Sequence, residues 1–240
     1  MVQGSRLGNN DKREILRVYR SRKSVKRAYD LLSNFYGIIS EPFEKKVNYA
    51  ALGKLRLKKG EKVLEIGFGT GYVLEKIIER IGINGKAYGI DISSGMLDVA
   101  LRRLKKRGLE RRVNLVIGDA LRMPYQDRMF DAVFIGFTLE LFDTPEIPKV
   151  LLEISRVLKK GGRLCVVSIS KEENNLMVGI YEWFHKHFES IADCRPIYAK
   201  ESIKAAGYRI LSYDTLNLSG LPCEIVIAEN KSGVVHDKGR

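Results

Sequence analysis

Two short segments combine residue types that could bind a nucleotide-shaped cofactor. The first, VLEIGFGTG (63–71), is an apolar run that ends in alternate glycines, and the second, AYGID (87–91), is an apolar run that ends in Asp91. Glycines let the backbone turn sharply and approach a ligand closely. A carboxylate at the end of a second strand can accept hydrogen bonds from both ribose hydroxyls, at about 1.5–3 kcal/mol per charged bond. The two segments therefore predict a site for a ribose-containing cofactor.

Alternating strands and helices must hold these residues in place. The apolar periodicity predicts strands near 62–66, 86–91, 112–117, 130–135 and 163–168, with helices near 71–82, 95–107 and 145–158 between them. Such alternation indicates a parallel sheet. The helix that starts near Gly71 would point its free N–H groups at the ligand. Two further helices, near 12–34 and 41–56, precede the first strand.

The pattern changes after Ser168. A helical, aromatic-rich segment (176–191) and a helix near 199–206 come first. Two apolar runs, 209–213 and 223–229, follow with LNLSGLP between them, and they indicate an antiparallel pair. The last strand is therefore expected to run against the direction of its neighbours.

The glycine spacing excludes the dinucleotide fingerprint G-x-G-x-x-G, because Tyr72 and Leu74 stand where its last glycine would be. The motif present is E-x-G-x-G-x-G, starting at Glu65, and it resembles the first motif of class I S-adenosylmethionine (SAM) methyltransferases. The resemblance continues in order through GIDIS (89–93), GDA (118–120), FDAVF (130–134) and VLKKGGRL (157–164). It covers roughly residues 60–170 of the chain.

This resemblance implies an α/β fold with a doubly wound, seven-stranded, Rossmann-like sheet. The sheet would be mostly parallel with an antiparallel last strand, and an N-terminal helical cap would precede it. The expected organisation is a cap with a basic amphipathic helix over residues 1–58, a SAM-binding methyltransferase domain over 59–230 and a flexible tail over 231–240.

The same resemblance implies how SAM would be held. Glu65, Gly67 and Gly69 would surround the methionine portion, and Asp91 would hold the ribose. Ile92 would face the adenine, Asp119 would accept a hydrogen bond from its amino group, and Ala120 would supply a backbone contact. The expected cofactor-binding residues are Tyr29, Glu65, Ile66, Gly67, Phe68, Gly69, Gly71, Asp91, Ile92, Met96, Asp119, Ala120 and Gly136.

A general base is harder to assign, and five side chains are weak candidates for a catalytic role: His185, His187, Tyr181, Tyr125 and Glu140. Histidine has a pKa suited to proton transfer at neutral pH. Two residues that are two apart on a helix face different directions, so at most one of the two histidines can readily enter the site. A packing or surface role is the alternative for either of them.

Composition sets further bounds. The chain has 240 residues and a net charge of +13, and its first thirty residues contain nine Lys or Arg against three acids. Residues 12–32 form a basic amphipathic pattern that would suit RNA, an anionic membrane surface, or simply solvent. No apolar run approaches a membrane span, and the N-terminus lacks an apolar signal region. Three cysteines without metal-ligand spacing indicate no metal site and a reducing cytoplasm, with or without peripheral membrane attachment.

The segment RAYDLLSNFYGIISEPFEKK (27–46) narrows the resemblance. Together with DALRMPYQDRMFDAVFIGFTLELF (119–142), it is most similar to the ubiquinone/menaquinone C-methyltransferase group and its small-molecule relatives, in which a Tyr-Asp pair, here Tyr29 and Asp30, opens the cap over the cofactor. The Arg-Asn pair that these enzymes carry after the fourth strand is absent, since Phe137 and Thr138 stand there. The resemblance therefore does not fix a quinone as the acceptor.

Three functions follow as hypotheses. The first is a SAM-dependent methyltransferase that acts on a small hydrophobic or lipid/quinone-like acceptor. The second is an RNA methyltransferase that uses the basic N-terminal helix, and the third is a SAM-binding module without catalysis. The residues after the fourth strand, Ile135 to Thr138, lack the N/D-P-P-Y/F tetrad of many nucleobase amino-methyltransferases, which disfavours exocyclic base amines. The sequence gives no indication of oligomeric state.

Overall fold

The computed structural model describes residues 41–172, 195–218 and 220–231, together with Arg27 and Asp30. These residues form one seven-stranded sheet with helices on both of its faces. The helices are α1 (Glu41–Leu55), α2 (Tyr72–Ile81), α3 (Ser94–Lys106), α4 (Ile147–Val157) and α5 (Ala199–Ala205), and single 3₁₀ turns span Glu110–Arg112 and Leu139–Leu141. The strands are β1 (Lys62–Ile66), β2 (Lys86–Asp91), β3 (Val113–Ile117), β4 (Phe130–Gly136), β5 (Leu158–Ile169), β6 (Arg209–Leu218) and β7 (Leu221–Glu229).

The strand order is β3-β2-β1-β4-β5-β7-β6, and β7 runs antiparallel to both of its neighbours. The predicted fold class, with its antiparallel last strand, is confirmed. Strand β1 pairs in parallel with β2 on one side and with β4 on the other. The chain therefore reverses its direction of winding at β1, which opens a crevice at the carboxyl ends of β1 and β4.

Two apolar layers hold the helices against the sheet. On one face, α1, α2 and α3 pack against β1, β4 and β5, and on the other face α4 and α5 pack against the same strands and β7. Helix α2 shows why the sequence folds this way, because its buried residues recur at helical spacing: Val73, Leu74, Ile77, Ile78 and Ile81. Helix α1 lies in the predicted cap region, and it buries Ala51, Leu52 and Leu55 in the layer that α2 and α3 share.

Two strands extend beyond their predicted limits. Strand β5 begins at Leu158, directly after α4, because Leu158 pairs with Phe130 ahead of a register shift in β4. The runs predicted at 209–213 and 223–229 extend to Leu218 and Leu221, so that most of the intervening LNLSGLP belongs to a tight hairpin. The turn residues in this segment predict a loop. Pairing between β6 and β7 nevertheless extends both strands into it, because the environment in the sheet outweighs local strand propensity.

Several predictions concern residues outside the described ranges. Arg27 and Asp30 are helical, as predicted for 12–34, and the rest of that helix and the aromatic-rich segment 176–191 lie outside. Cys165 and Cys223 are buried free thiols, whereas Cys194 is outside the described residues. Within the described part of the chain, the helices are too short or too polar to cross a bilayer.

Candidate active site

A cavity of about 270 Å³ opens at the carboxyl ends of the central strands, where the winding reverses. Most of the predicted cofactor-binding residues meet in its wall, although they come from separate segments of the chain: Glu65, Ile66, Gly67, Phe68, Gly69, Asp91, Ile92, Met96, Asp119, Ala120 and Gly136. Tyr29 lies outside the described residues. That these side chains bind SAM remains a prediction, which their convergence supports.

The three glycines of the loop have different tasks. Gly67 has a φ of +71°, and a Cβ on it would lie 2.3 Å from the Thr138 hydroxyl, so this position brings the loop after β4 against the loop after β1. Gly69 has a φ of +48° and would meet nothing within 4 Å, which leaves room beside the cavity. Gly71 was predicted to bind the cofactor, but it is not in the wall. A Cβ there would come 3.0 Å from that of Ala100, so Gly71 instead lets α2 begin close to α3.

Asp91 joins two turns of the site. Its Oδ2 accepts a hydrogen bond from the Gly69 N–H and its Oδ1 accepts one from the Ser93 N–H, both at 2.9 Å. Burial raises the pKa of the Asp91 carboxyl, and the bonds from Ser93 and Gly69 oppose that increase. Each carboxylate oxygen keeps a further lone pair for a ribose hydroxyl.

The Asp30 side chain lies at the N-terminus of helix α3. Its Oδ1 accepts hydrogen bonds from the Ser93 hydroxyl at 2.7 Å and from the Gly95 N–H at 2.9 Å. The Ser93 hydroxyl in turn caps α3 by accepting from the Met96 N–H at 3.1 Å. Two carboxylates, Asp30 and Asp91, thus meet the positive end of the α3 dipole. The Asp30 carboxylate is therefore held next to the predicted ribose position.

Glu65 places in the wall a buried carboxyl oxygen that has no hydrogen-bond partner among the described residues. The side chain is 4% exposed, and its Oε2 has no hydrogen-bond partner. Burial, together with the nearby Asp91 carboxylate, raises the pKa of Glu65 well above its ordinary value. A cationic ligand group such as an amino group would pair with this oxygen. The amino group and ribose of SAM, and the apolar wall of Ile66, Phe68 and Met96, therefore fit this cavity.

Tyr125 does not belong to the site. Its ring packs edge-on against Tyr88 and Phe130 in the apolar layer on the other face of the sheet, and its hydroxyl donates to the Gly89 carbonyl at 3.3 Å. Burial raises the pKa of this phenol, so even less of it is present at neutral pH as the phenolate that could accept a proton. Tyr125 is absent from the cavity wall, so the structure does not bring this catalytic candidate to the predicted cofactor site. His185, His187 and Tyr181 lie outside the described residues.

Glu140 also lies behind the wall. The side chain is fully buried, its Oε1 accepts a hydrogen bond from the Ile169 N–H at 3.4 Å, and its Oε2 has no partner. Burial raises the pKa of Glu140 to about 8, which would have suited a base. The cavity is nevertheless lined by the neighbouring Leu141 and Phe142 instead, so Glu140 cannot touch an acceptor there.

Glu140 should make stability depend on pH. Between its ordinary value of 4.5 and about 8, the folded carboxyl keeps a proton that the unfolded chain has released. The free energy of unfolding should therefore fall as pH rises through this window, by up to about 1.4 kcal/mol per pH unit, and then level off. In Glu140→Gln the fall should be shallower, as measured by urea unfolding at pH 5, 6, 7 and 8. Glu110→Gln, at an exposed site, is the matched control; identical slopes in the two variants would contradict the assignment.

Sequence reasoning missed a second group of wall residues: Glu44, Asn48, Thr70, Tyr72, Val73, Thr138, Leu141, Phe142, Asp143 and Glu146. Two of them had a detectable signal, because Glu44 and Asn48 stand four apart on the predicted helix 41–56 and so share one polar face. The others follow β4 or begin α2, where only the folded chain brings them to the cavity.

Arg195 was also missed, and it supports the wall from behind. Its fully buried guanidinium donates to the carbonyls of Glu140 at 2.7 Å and Phe142 at 2.8 Å, and to the Thr144 hydroxyl at 3.2 Å. This side chain therefore fixes the loop after β4, including the wall residues Leu141 and Phe142. An arginine far along the chain carries no sequence signal for such a role.

Known proteins resemble the chain along most of its length. The ubiE/COQ5 methyltransferase family matches residues 9–214. A demethylmenaquinone methyltransferase of Anoxybacillus flavithermus is 31% identical over 171 residues, which cover 70% of this chain and 70% of that protein. Another protein of that name, from Lactobacillus johnsonii, is 34% identical over 139 residues, but the match covers only 58% of this chain and 56% of the relative.

A solved structure shows the same fold. It is a SAM-dependent methyltransferase from Aquifex aeolicus, with a TM-score of 0.58 and 25% sequence identity. The superposition covers 75% of this chain and 88% of that one.

Proposed function

The chain belongs to the ubiE/COQ5 methyltransferase family, whose members depend on SAM, and from this premise we propose that it methylates a ring carbon of a small, reduced, quinone-like acceptor. The observation that carries the proposal is the convergence of the E-x-G-x-G-x-G loop, Asp91 and Asp119 on one cavity that also has the apolar Phe137, Leu141 and Phe142 in its wall on the side of β4. The names of the relatives point to a quinone as the acceptor.

SAM, the methyl acceptor and the cavity wall each contribute a different part of the reaction. SAM supplies an activated methyl group, and the net reaction replaces one ring hydrogen, released as a proton, by that methyl. Only the reduced ring is electron-rich enough to act as the carbon nucleophile. The protein's contribution is mainly alignment, which can supply about 7–11 kcal/mol of the barrier.

The wall residues would hold the two ligands in distinct places. Asp91 would bind the ribose, and Glu65 would bind the amino group. On the side of β4, Phe137, Leu141 and Phe142 offer an apolar surface to a flat ring. Phe137 has a φ of +49°, a conformation that an L-residue adopts at a cost of about 1–3 kcal/mol and that is common at functional sites.

The test is transfer of labelled methyl groups from SAM to a 2-prenyl-1,4-naphthohydroquinone kept reduced by dithionite. We expect label in the organic phase, at one methyl per acceptor, and none with the oxidised quinone. The variant Asp91→Ala, assayed in parallel, controls for contaminating enzymes. Label in a nuclease-sensitive polymer from cell extract would support an RNA methyltransferase instead, and SAM binding without turnover on any extract fraction would support a non-catalytic module.

A further inference from the structure

Helix α1 places in the cavity wall one polar atom, Asn48 Oδ1, that has no hydrogen-bond partner in the part of the chain that the structure describes. Asn48 is 2% exposed, and its side-chain nitrogen donates to the Tyr72 hydroxyl at 2.5 Å. Its Oδ1 has no hydrogen-bond partner. This oxygen lies beside the end of β4, since a Cβ built on Gly136 would be 2.7 Å from it. A buried acceptor left unpaired is costly, so a ligand that donates a hydrogen bond is the natural partner.

The neighbours of Asn48 fix which way its amide points. The Tyr72 hydroxyl, which accepts from the amide nitrogen, lies 3.5 Å from the Glu44 carboxylate. Burial and the Glu44 charge raise the pKa of Tyr72, so the phenol keeps its proton and directs it at Glu44. Turning the amide over would draw that proton away from Glu44. The arrangement therefore favours the orientation in which the nitrogen faces Tyr72 and Oδ1 lies against Gly136 in the cavity wall.

Oδ1 lies at a different strand from the three acids assigned to SAM, although it lies against Gly136, which was also predicted to contact the cofactor. Glu65 lies near the end of β1, Asp91 is the last residue of β2 and Asp119 follows β3, and these acids suit the amino group, the ribose and the adenine. Asn48 lies instead toward β4, against Gly136 and on the side of Phe137. A ligand group that reaches it from the cavity would belong to the methyl acceptor.

We propose that Asn48 binds the methyl acceptor, its Oδ1 accepting a hydrogen bond from a ring hydroxyl, with Tyr72 as the positioning residue that orients the amide. This inference rests on the proposed function and adds how the site selects the redox state of its substrate. A hydroquinone has hydroxyl hydrogens to donate, whereas an oxidised quinone would bring a carbonyl oxygen against Oδ1. A site built around such a bond rejects the analogue that lacks the donor, because its own polar atom is then left unpaired.

The experiment compares two probes and several variants by calorimetry in the presence of S-adenosylhomocysteine. The probes are 1,4-naphthohydroquinone, kept reduced, and its 1,4-dimethyl ether, which keeps both oxygens but has no hydrogen to donate. The wild type should prefer the hydroquinone, and Asn48→Leu should bind it roughly 10- to 100-fold more weakly and lose most of the preference. Asn48→Asp, which keeps an acceptor oxygen, should retain the preference for the hydroquinone.

Two controls separate this role from a purely structural one. Tyr72→Phe removes only a hydroxyl and should fold. Because the Asn48 amide is then free to turn over, the difference in affinity between the two probes should become smaller. Asn114→Leu, at an exposed position on β3, should leave both affinities unchanged. SAM affinity should be the same in all variants.

Each outcome has a separate meaning. The role of Asn48 would be overturned if Asn48→Leu kept the wild-type preference between the two probes, or if this variant lost affinity for SAM instead of affinity for the hydroquinone. A wild type that binds no hydroquinone would also overturn it. A wild type that shows the expected binding pattern yet transfers no methyl group would overturn the proposed function and leave the role of Asn48 standing.

Discussion

Replacing Asp91 with alanine should lower the affinity for SAM by about 10²- to 10⁴-fold. Two hydrogen bonds from ribose hydroxyls to a carboxylate contribute about 1.5–3 kcal/mol each, and every 1.4 kcal/mol is a factor of ten. The same carboxylate also accepts the Gly69 and Ser93 N–H groups at 2.9 Å. The substitution should therefore loosen both turns that shape the ribose end of the cavity.

Calorimetric titration of SAM measures this effect directly. Asp91→Asn keeps one acceptor oxygen and should fall between alanine and the wild type. Asp98→Ala removes an exposed acid from the same region of the chain and should change nothing, which makes it the matched control. Thermal unfolding and circular dichroism would show that Asp91→Ala is folded. A folded Asp91→Ala protein with wild-type SAM affinity would refute the cofactor site.

Gly67→Ala should reduce the free energy of unfolding by about 2–5 kcal/mol. A φ of +71° costs an L-residue about 1–2 kcal/mol. The new methyl group would also lie 2.3 Å from the Thr138 hydroxyl oxygen and 2.6 Å from its methyl carbon, and overpacking of this kind typically costs about 1–3 kcal/mol. Relief of the clash would push the loop after β4 away from the cavity, so SAM affinity should fall as well.

A double-mutant cycle separates the two causes. In a Thr138→Ala background the contacts at 2.3 and 2.6 Å are removed and only the Cβ of residue 138, at 2.9 Å, stays close, so Gly67→Ala should then cost little more than the backbone strain. Gly69→Ala is the matched control, because its φ is +48° but nothing lies within 4 Å of the new methyl group. It should cost about 1–2 kcal/mol in the same urea titrations. Equal losses for Gly67→Ala with and without Thr138 would show that the contact with the β4 loop is unimportant.

The cofactor half of the site was predictable because its signals are local. A glycine loop between an apolar strand and a helix, and an acid at the end of the next strand, each occupy a few consecutive residues, and Asp91 and Glu65 meet in the cavity as their motifs imply. The limits of β1 and β2 were predicted to the residue, since a buried parallel strand is an uninterrupted apolar run. Tyr125 and Glu140 do not line the cavity, and the sequence could not show this, because a polar residue near a strand end gives no sign of which side of the sheet it faces.

The sequence by itself determined the α/β class and the order of strands and helices along the chain, because periodicity and turn chemistry act over a few residues. Its motifs also predicted a set of SAM-binding residues, most of which line one cavity. Tertiary structure alone decided which residues form the opposite wall. Asn48 and Tyr72 are 24 positions apart and Arg195 lies 55 positions from Glu140, yet each pair is joined by a hydrogen bond. Such contacts depend on how helices pack across the sheet. A buried oxygen such as Asn48 Oδ1 can be recognised as unpaired only when the positions of the surrounding side chains are known.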